Sequence, residues 1–551
     1  MGTSVTFEAN GFAGMAASYA AKQTNVPLQI LNGYLESPSN PQSAVVARPG
    51  WYRLSTTQMG SSEPAIHSGL VFQFEKLDGT GFTVLVTRGV FYKWTWGTGL
   101  AEALSAATLS AASVAISATA TVYACMFNNQ MVITDGVNTP WMWDGTTNGG
   151  ITKLTNAPVA YGPPTVYYAR LFFIKNADRG TGVWSEVNAA NTGYEAGGYN
   201  NAWTLSQTAS SPLIALLGTN DGLYYFRAKS IGLIRGAVTS TFSTSGTHDA
   251  VSADVGLGHA LMLAFYQETI FFTDTQMRPW RMALGGRPDP LWSQADWFFG
   301  YKATIYKDPV GFAGPGVLLL PGNLPAAASA TVEIVPRPWL NQVCFVYTTV
   351  AYESSVVVYD VTTGKLVGLE NWADTTNSAY IVRVGVGGYP GGTMQLVAIT
   401  NNRTAVTQGS IAVGSALTFE DQLTTGSTHH AYSLSVFTAR IGDHPSKEYD
   451  FGDLDVVVEF PEVTGYTLTV GAAYVTSNRI TSGAEVAEQT VALTAGGSSL
   501  IRQRRAEFGL SAGGRWIMWR LRVIGTTTTE RVALVGWAQD AWMYRGSGVL
   551  R

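Results

Sequence analysis

Residues Val122 to Gly145 read VYACMFNNQMVITDGVNTPWMWDG. An apolar run, Val122 to Phe127, meets a polar turn at Asn128-Asn129-Gln130, and a second run ends at Val132-Ile133-Thr134. Asp135-Gly136 then turns the chain into the aromatic strand Trp141-Met142-Trp143, which Asp144-Gly145 closes. Asn, Asp and Gly tolerate left-handed backbone angles and so suit tight turns, while the runs between them are too short for helices. The stretch predicts a small antiparallel sheet.

The same grammar returns with other letters. Thr83 to Gly97 (TVLVTRGVFYKWTWG) turns at Arg88-Gly89, and Tyr92, Trp94 and Trp96 fall on one face of the following strand. Tyr167 to Val187 turns at Asp178-Arg179-Gly180, and Ile214 to Ala228 at Asn220-Asp221-Gly222. The turn glycines Gly89, Gly136, Gly180 and Gly222 stand 47, 44 and 42 residues apart, the period of a four-stranded propeller blade. Further pairs of runs follow at Leu261 to Arg281, Val343 to Trp372 and Gly391 to Ser410. The expected fold is mainly β, with a β-propeller of about six blades over residues 61–426. A closed ring lets so many short strands avoid open edges.

Around that ring the texture changes. Residues 1–60 carry few regular signals beyond a short helical pattern at Phe12 to Ala21, and Pro27, Pro38, Pro41 and Pro49 mark an extended N-terminal arm. A Pro-rich loop excursion at about 285–340 is too long for a blade connection and suits contact with a neighbour. From 427 to 551 a C-terminal β-sandwich-like domain is expected. There Leu454, Val456, Val458 and Phe460 alternate with Asp453, Asp455 and Glu459, and Ile517, Trp519, Leu521 and Val523 alternate with Trp516, Met518, Arg520 and Arg522.

Charged residues make up only 13% of the 551, against roughly 25% in an average soluble protein. A chain this poor in charge has little with which to keep a large free surface soluble, so either copies of itself and partners cover that surface or a polar Ser/Thr face does. The net charge of −4 gives no global footprint for nucleic-acid binding. Cys125 and Cys344 both lie in apolar runs, which favours buried free thiols and a reducing compartment, with a disulfide between them the other reading. The polar start Met1 to Asn10 is unlike a signal peptide, and Ala103 to Val122, part of the longest uncharged stretch, is too rich in Ser and Thr for a membrane span.

Leu31 to Leu54, LNGYLESPSNPQSAVVARPGWYRL, carries Asn-x-Tyr-x-Glu (Asn32, Tyr34, Glu36) and then Arg48-Pro49-Gly50 before the first clear strands. This arm followed by degenerate blades resembles the tail hub or nozzle proteins of short-tailed bacteriophages, of the packaged-DNA stabilisation type. The motif spans about 25 residues and the architectural likeness about residues 30 to 420. The resemblance implies a non-enzymatic virion protein, assembled in the host cytoplasm and forming a ring of six copies in the tail. It places those six arm residues at contacts with the portal or adaptor protein and with neighbouring copies. Tail fibre or spike proteins would be further partners, DNA would pass through the lumen without specific binding, and no cofactor would be needed. As local chemistry, Arg48-Pro49-Gly50 is also an ordinary turn into a strand.

Two other groups of residues bear on function. Arg502, Arg504, Arg505, Arg520 and Arg522 form a candidate basic patch for phosphate or an acidic neighbour, or else a solvated face paired with Asp453, Asp455 and Glu459. Asp135 and Asp144 flank Trp141 and Trp143, an arrangement that a glycan-binding protein or propeller glycosidase could use. The turns lack the Ser-x-Asp-x-Gly-x-Thr-Trp box of sialidases, and Asp beside Gly is most often a turn former. Of the six histidines only the adjacent His429 and His430 approach metal-ligand spacing. No nucleophile elbow, phosphate-binding loop or dinucleotide fingerprint occurs.

Overall fold

A computed structural model describes most of the chain between residues 68–291 and 330–545, with the N-terminal segments 3–10, 29–31, 33–36, 42–47 and 50–53. The longer stretches outside the described residues are 13–28, 60–67, 205–211, 239–246, 292–329, 403–409, 422–429, 477–485, 495–500 and 526–531. Most of the Pro-rich excursion and of the Phe12 to Ala21 pattern falls there.

The described residues form seven consecutive antiparallel meanders, one more than the sequence pattern suggests. Blade one is Leu70–Glu75, Gly81–Thr87, Val90–Thr95 and Gly99–Leu104. Blade two is the opening stretch: Tyr123–Phe127, Gln130–Thr134, Trp141–Trp143 and Ile151–Lys153. Blades three to five begin at Ala160–Tyr167, Leu213–Gly218 and Leu263–Tyr266, and blade six is Ala330–Arg337, Gln342–Thr349, Ser354–Asp360 and Lys365–Asn371. Blade seven takes Ala379–Gly387, Gln395–Asn402 and Ser410–Ser415 in order, and its outer strand is Gly50–Arg53, from the other end of the chain. That borrowed strand carries no local hairpin signal, so the sequence pattern does not place it in the propeller.

The ring closes. Innermost strand Leu70–Glu75 packs against both Tyr123–Phe127 and Ala379–Gly387, and neighbours continue round the axis. At the closing seam a Cβ on Gly385 would stand 2.7 Å from the Val71 carbonyl oxygen, so the close approach needs glycine. Aromatic side chains fill the wedges between blades: Phe91 meets Trp141 at 5.2 Å and Phe82 meets Trp143 at 5.9 Å across blades one and two. On the opposite face of the same strand, Tyr92 and Trp94 pack with Val382 and Ile399 of blade seven. The period-2 alternation of a strand thus glues one blade to both neighbours. The turn glycines are less equivalent than their spacing suggests. Gly89, Gly136 and Gly180 follow second strands, whereas Gly222 follows the first strand of blade four.

The described part of the N-terminal segment is taken up in sheets. Thr3–Ala9 pairs along its whole length with Ala533–Arg545, Gly33–Leu35 pairs with Val45–Ala47, and Gln29–Leu31 lies between Leu434–Phe437 and the edge of blade six. These strands complete a two-sheet body whose core holds Leu454, Val456, Val458, Phe460, Trp519, Leu521 and Trp537. The alternation at Leu454 to Phe460 holds as read. The second face of Ile517–Gly525 departs from it: Trp516 and Met518 are buried, in one apolar cluster with residues of blades four to six, and only further along does that face carry the half-buried Arg520 and Arg522.

Where blade six meets this body lies a buried ion pair. Arg337, 2% exposed, donates from Nη1 and Nη2 to the two oxygens of Glu370, 0% exposed, at 2.8 and 2.6 Å. Nη1 also reaches Gln342 Oε1 at 3.0 Å, and Trp372 Nε1 donates to Glu370 at 2.6 Å. Trp51, on the borrowed outer strand, packs edge-on against Trp372 at 5.0 Å.

Candidate functional site

The innermost strands of all seven blades surround a cavity of about 300 Å³ on the propeller axis. Its walls include Tyr123, Thr165, Leu216, Ala264, Glu333 and Arg383. Most of the lining residues are aliphatic, because the innermost strands supply runs such as Leu213–Gly218, whose first four residues are all buried. Glu333 and Arg383 interrupt otherwise apolar runs, ATVEIVPR and AYIVRVGVG, and are 7% and 5% exposed.

Their pairing is loose. Arg383 Nε lies 3.4 Å from Glu333 Oε1, and among the described residues neither Nε nor Nη1 of Arg383 has a hydrogen-bond partner. Glu333 Oε2 accepts the Val384 N–H at 3.2 Å. Burial lifts the Glu333 carboxyl above the ordinary glutamate range, against the pull of Arg383 and of that N–H. Burial also depresses the protonation of His259, and Arg383 and Arg179 depress it further. Arg179 itself lies over the Tyr161 ring at 3.8 Å. Sequence pattern does not reveal this group, since a lone charge in an apolar strand was its only signal.

The residues singled out from sequence fall elsewhere. Asn32, Arg48 and Pro49 lie outside the described residues. Tyr34 is half-buried within its strand pair, Glu36 is exposed and donates its N–H to Ala44 O at 3.0 Å, and Gly50 opens the outer strand of blade seven opposite Ser415. The five arginines are not on one surface sheet. Arg502, Arg504 and Arg505 lie on Ile501–Phe508, in the sheet with Lys447–Pro461, while Arg520 and Arg522 lie on Ile517–Gly525, in the other. The side chain of Arg502 lies outside the described residues. Arg505 pairs with Asp455, and Arg522 is bidentate to Glu488 at 2.8 and 2.5 Å. At these two arginines, acidic partners within the domain already meet the charge. Of the adjacent histidines, His430 is in the two-residue strand His430–Ala431 and His429 lies outside the described residues.

Asp135 and Asp144 are committed to turns. Asp135, 5% exposed, accepts from the N–H groups of Ser117, Val137 and Asn138 and from Asn138 Nδ2, all at 2.7–2.9 Å. Asp144 accepts the Thr146 N–H at 2.8 Å. Trp141 and Trp143 are 1% and 0% exposed, which leaves no ring face for a sugar. Asp135→Asn should therefore lower stability by about 1–3 kcal/mol, because an amide turned toward those donors leaves at least one unpaired. Thermal unfolding monitored by near-UV dichroism measures it, and an unchanged midpoint would contradict the clamp.

Both cysteines are free, on different blades, and burial pushes each thiol up to about 12. Among the described residues no helix is long and apolar enough to cross a membrane, and no group of three or more His, Cys, Asp or Glu is placed to hold a metal ion.

Sheet pairing and ring closure define a seven-bladed β-propeller joined to a β-sandwich. No protein-family model and no curated protein matches the chain. Among solved structures it is similar to BamB from Moraxella catarrhalis, at 10% identity and TM-score 0.30, covering 72% of this chain and 97% of that one. It is also similar to PorZ, a surface component of the type-IX secretion system of Porphyromonas gingivalis, at 11% identity and TM-score 0.36, covering 70% of this chain and 42% of that one. The computationally designed protein Ika8 matches at 10% identity and TM-score 0.33, over 65% of this chain and 98% of that one.

Proposed function

We propose that the chain is a structural subunit of a short phage tail, six copies of which form a nozzle or hub ring that extends the DNA channel, retains the packaged genome and then releases it. The observation that carries this reading is the composition set on this fold: two packed β bodies with 13% charged residues suit a surface covered by copies and partners. The resemblance of the N-terminal segment to tail nozzle proteins supports it. The propeller axis is filled by inward side chains around a cavity of about 300 Å³, so duplex DNA would run between copies and not through a blade ring. A slightly acidic chain, net −4, suits a lumen that lets phosphates slide.

The mass of the purified chain tests the reading. Six copies of the 58.9 kDa chain are expected, alone or on addition of the portal or adaptor ring. A stable monomer under both conditions that binds or cleaves host polysaccharide would replace it with a receptor-binding or depolymerase role.

A further inference from the structure

Thr3–Ala9, Ala533–Arg545, Lys447–Pro461 and Ile501–Phe508 lie side by side in one sheet of the sandwich, and residues directly across from one another share a face. Leu454, Val456 and Trp537 point into the core, so the alternate residues of the same strands point to solvent. One row of that outward face runs Ser4, Trp542, Asp450 and Gly513. The next sets Thr6 opposite Asp540, and the one after it holds Glu8, Ala538, Asp455 and Glu507. Trp542 is 53% exposed, whereas every other tryptophan among the described residues is buried or half-buried. Its strand is paired on both sides, so the indole stands on a fixed backbone between the short side chains of Ser4 and Asp450. The whole chain balances 38 acidic residues against 34 basic ones, but these rows carry Glu8, Asp450, Asp455, Glu507 and Asp540 without a basic residue among them. Arg505, in the adjoining row, is taken up by Asp455, with Glu507 3.7 Å from its Nε. Asp540 accepts the Thr6 hydroxyl at 2.9 Å, a neutral donor that leaves its charge in place.

We infer that this face is a docking surface for a basic segment of a partner protein, with an arginine of the partner stacked on Trp542 and paired with Asp450 and Asp540. An indole is the best side-chain face for a cation, and a guanidinium, planar and weakly hydrated, both stacks on rings and pairs with carboxylates. Asp450 stands directly across from the indole, about 5 Å away between Cβ atoms, and Asp540 two residues back on the same strand, about 7 Å away. One guanidinium on the ring therefore meets both charges. The same carboxylates repel nucleic-acid phosphate and anionic lipid. A sugar would also stack on an indole, but the net charge around it serves no purpose for a neutral ligand. The inference stands apart from the proposed place in a tail.

Fluorescence anisotropy of dye-labelled hexa-arginine titrated with the full chain tests this, with labelled hexalysine and maltohexaose for comparison. Hexa-arginine should bind saturably and more tightly than hexalysine, and maltohexaose should not bind. Trp542→Ala should weaken hexa-arginine binding about 10-fold, and Trp542→Phe, which keeps a ring, should retain most of it. Asp450→Asn with Asp540→Asn leaves the Thr6 hydroxyl an acceptor and should weaken binding about 3- to 10-fold while reducing its dependence on salt. Glu102→Gln with Asp254→Asn, at exposed acids of the propeller, should bind as the natural chain does. Near-UV dichroism identical to that of the natural chain is expected for each variant. The assignment is overturned if hexa-arginine does not bind, if Trp542→Ala binds it unchanged, which would reduce the face to diffuse charge attraction, or if maltohexaose binds in its place.

Discussion

Glu370→Gln lowers the stability of the chain by about 3–5 kcal/mol, the cost of leaving a buried guanidinium without its counter-charge. Arg337 and Glu370 are 2% and 0% exposed, and the carboxylate also accepts the Trp372 indole N–H at 2.6 Å. An amide can take one of these donors on its oxygen but presents N–H to the other. The replacement Arg337→Met with Glu370→Leu should recover much of the loss, since buried ion pairs exchanged for well-packed apolar groups are often neutral. Because the pair sits where blade six joins the sandwich, unfolding should begin there. The midpoint of the first transition in urea, followed by tryptophan fluorescence, reads the effect, and a variant as stable as the natural chain would show that the pair is not under strain of burial.

Deleting residues 1–53 is expected to abolish folding to a monodisperse protein, a larger effect than any single substitution. The deletion removes Gly50–Arg53, the outer strand of blade seven, and so opens an edge on Ser410–Ser415. It also removes Thr3–Ala9 from the long strand Ala533–Arg545 and Gln29–Leu31 from the junction between sandwich and blade six. A detachable arm would behave oppositely: the truncated chain would keep its near-UV dichroism and melting temperature and lose only assembly. Size exclusion and dichroism of the truncated chain distinguish the two outcomes.

The two ends of the chain also show where sequence is informative. Blade grammar is local: a hairpin needs its turn residues and an alternating run, and Val122 to Gly145 displays both within 24 residues. The inter-blade role of Trp141 and Trp143 follows from the same alternation, and so does the buried face at Leu454 to Phe460. Pairing of Gly50 with Ser415, or of Thr3 with Met543, leaves no local trace, because either strand would read the same beside any partner. Proline punctuation between those short strands reads as an extended arm for the same reason. The five arginines cluster in sequence as a patch but belong to two sheets, and Asp455 and Glu488, which answer two of them, are distant in the chain. The axial pair of Glu333 and Arg383 is least legible of all. Each is one charge in an apolar strand, and only the stacking of consecutive blades sets the first strands of blades six and seven side by side at the axis.

An image of the intact particle tests the proposed role most directly. With an antibody fragment bound to the C-terminal domain of this chain, six symmetrically placed additional densities around the tail axis below the portal are expected. Particles whose tails carry no such density, or carry it only on peripheral fibres, would contradict the proposal that this chain builds the wall of the DNA channel.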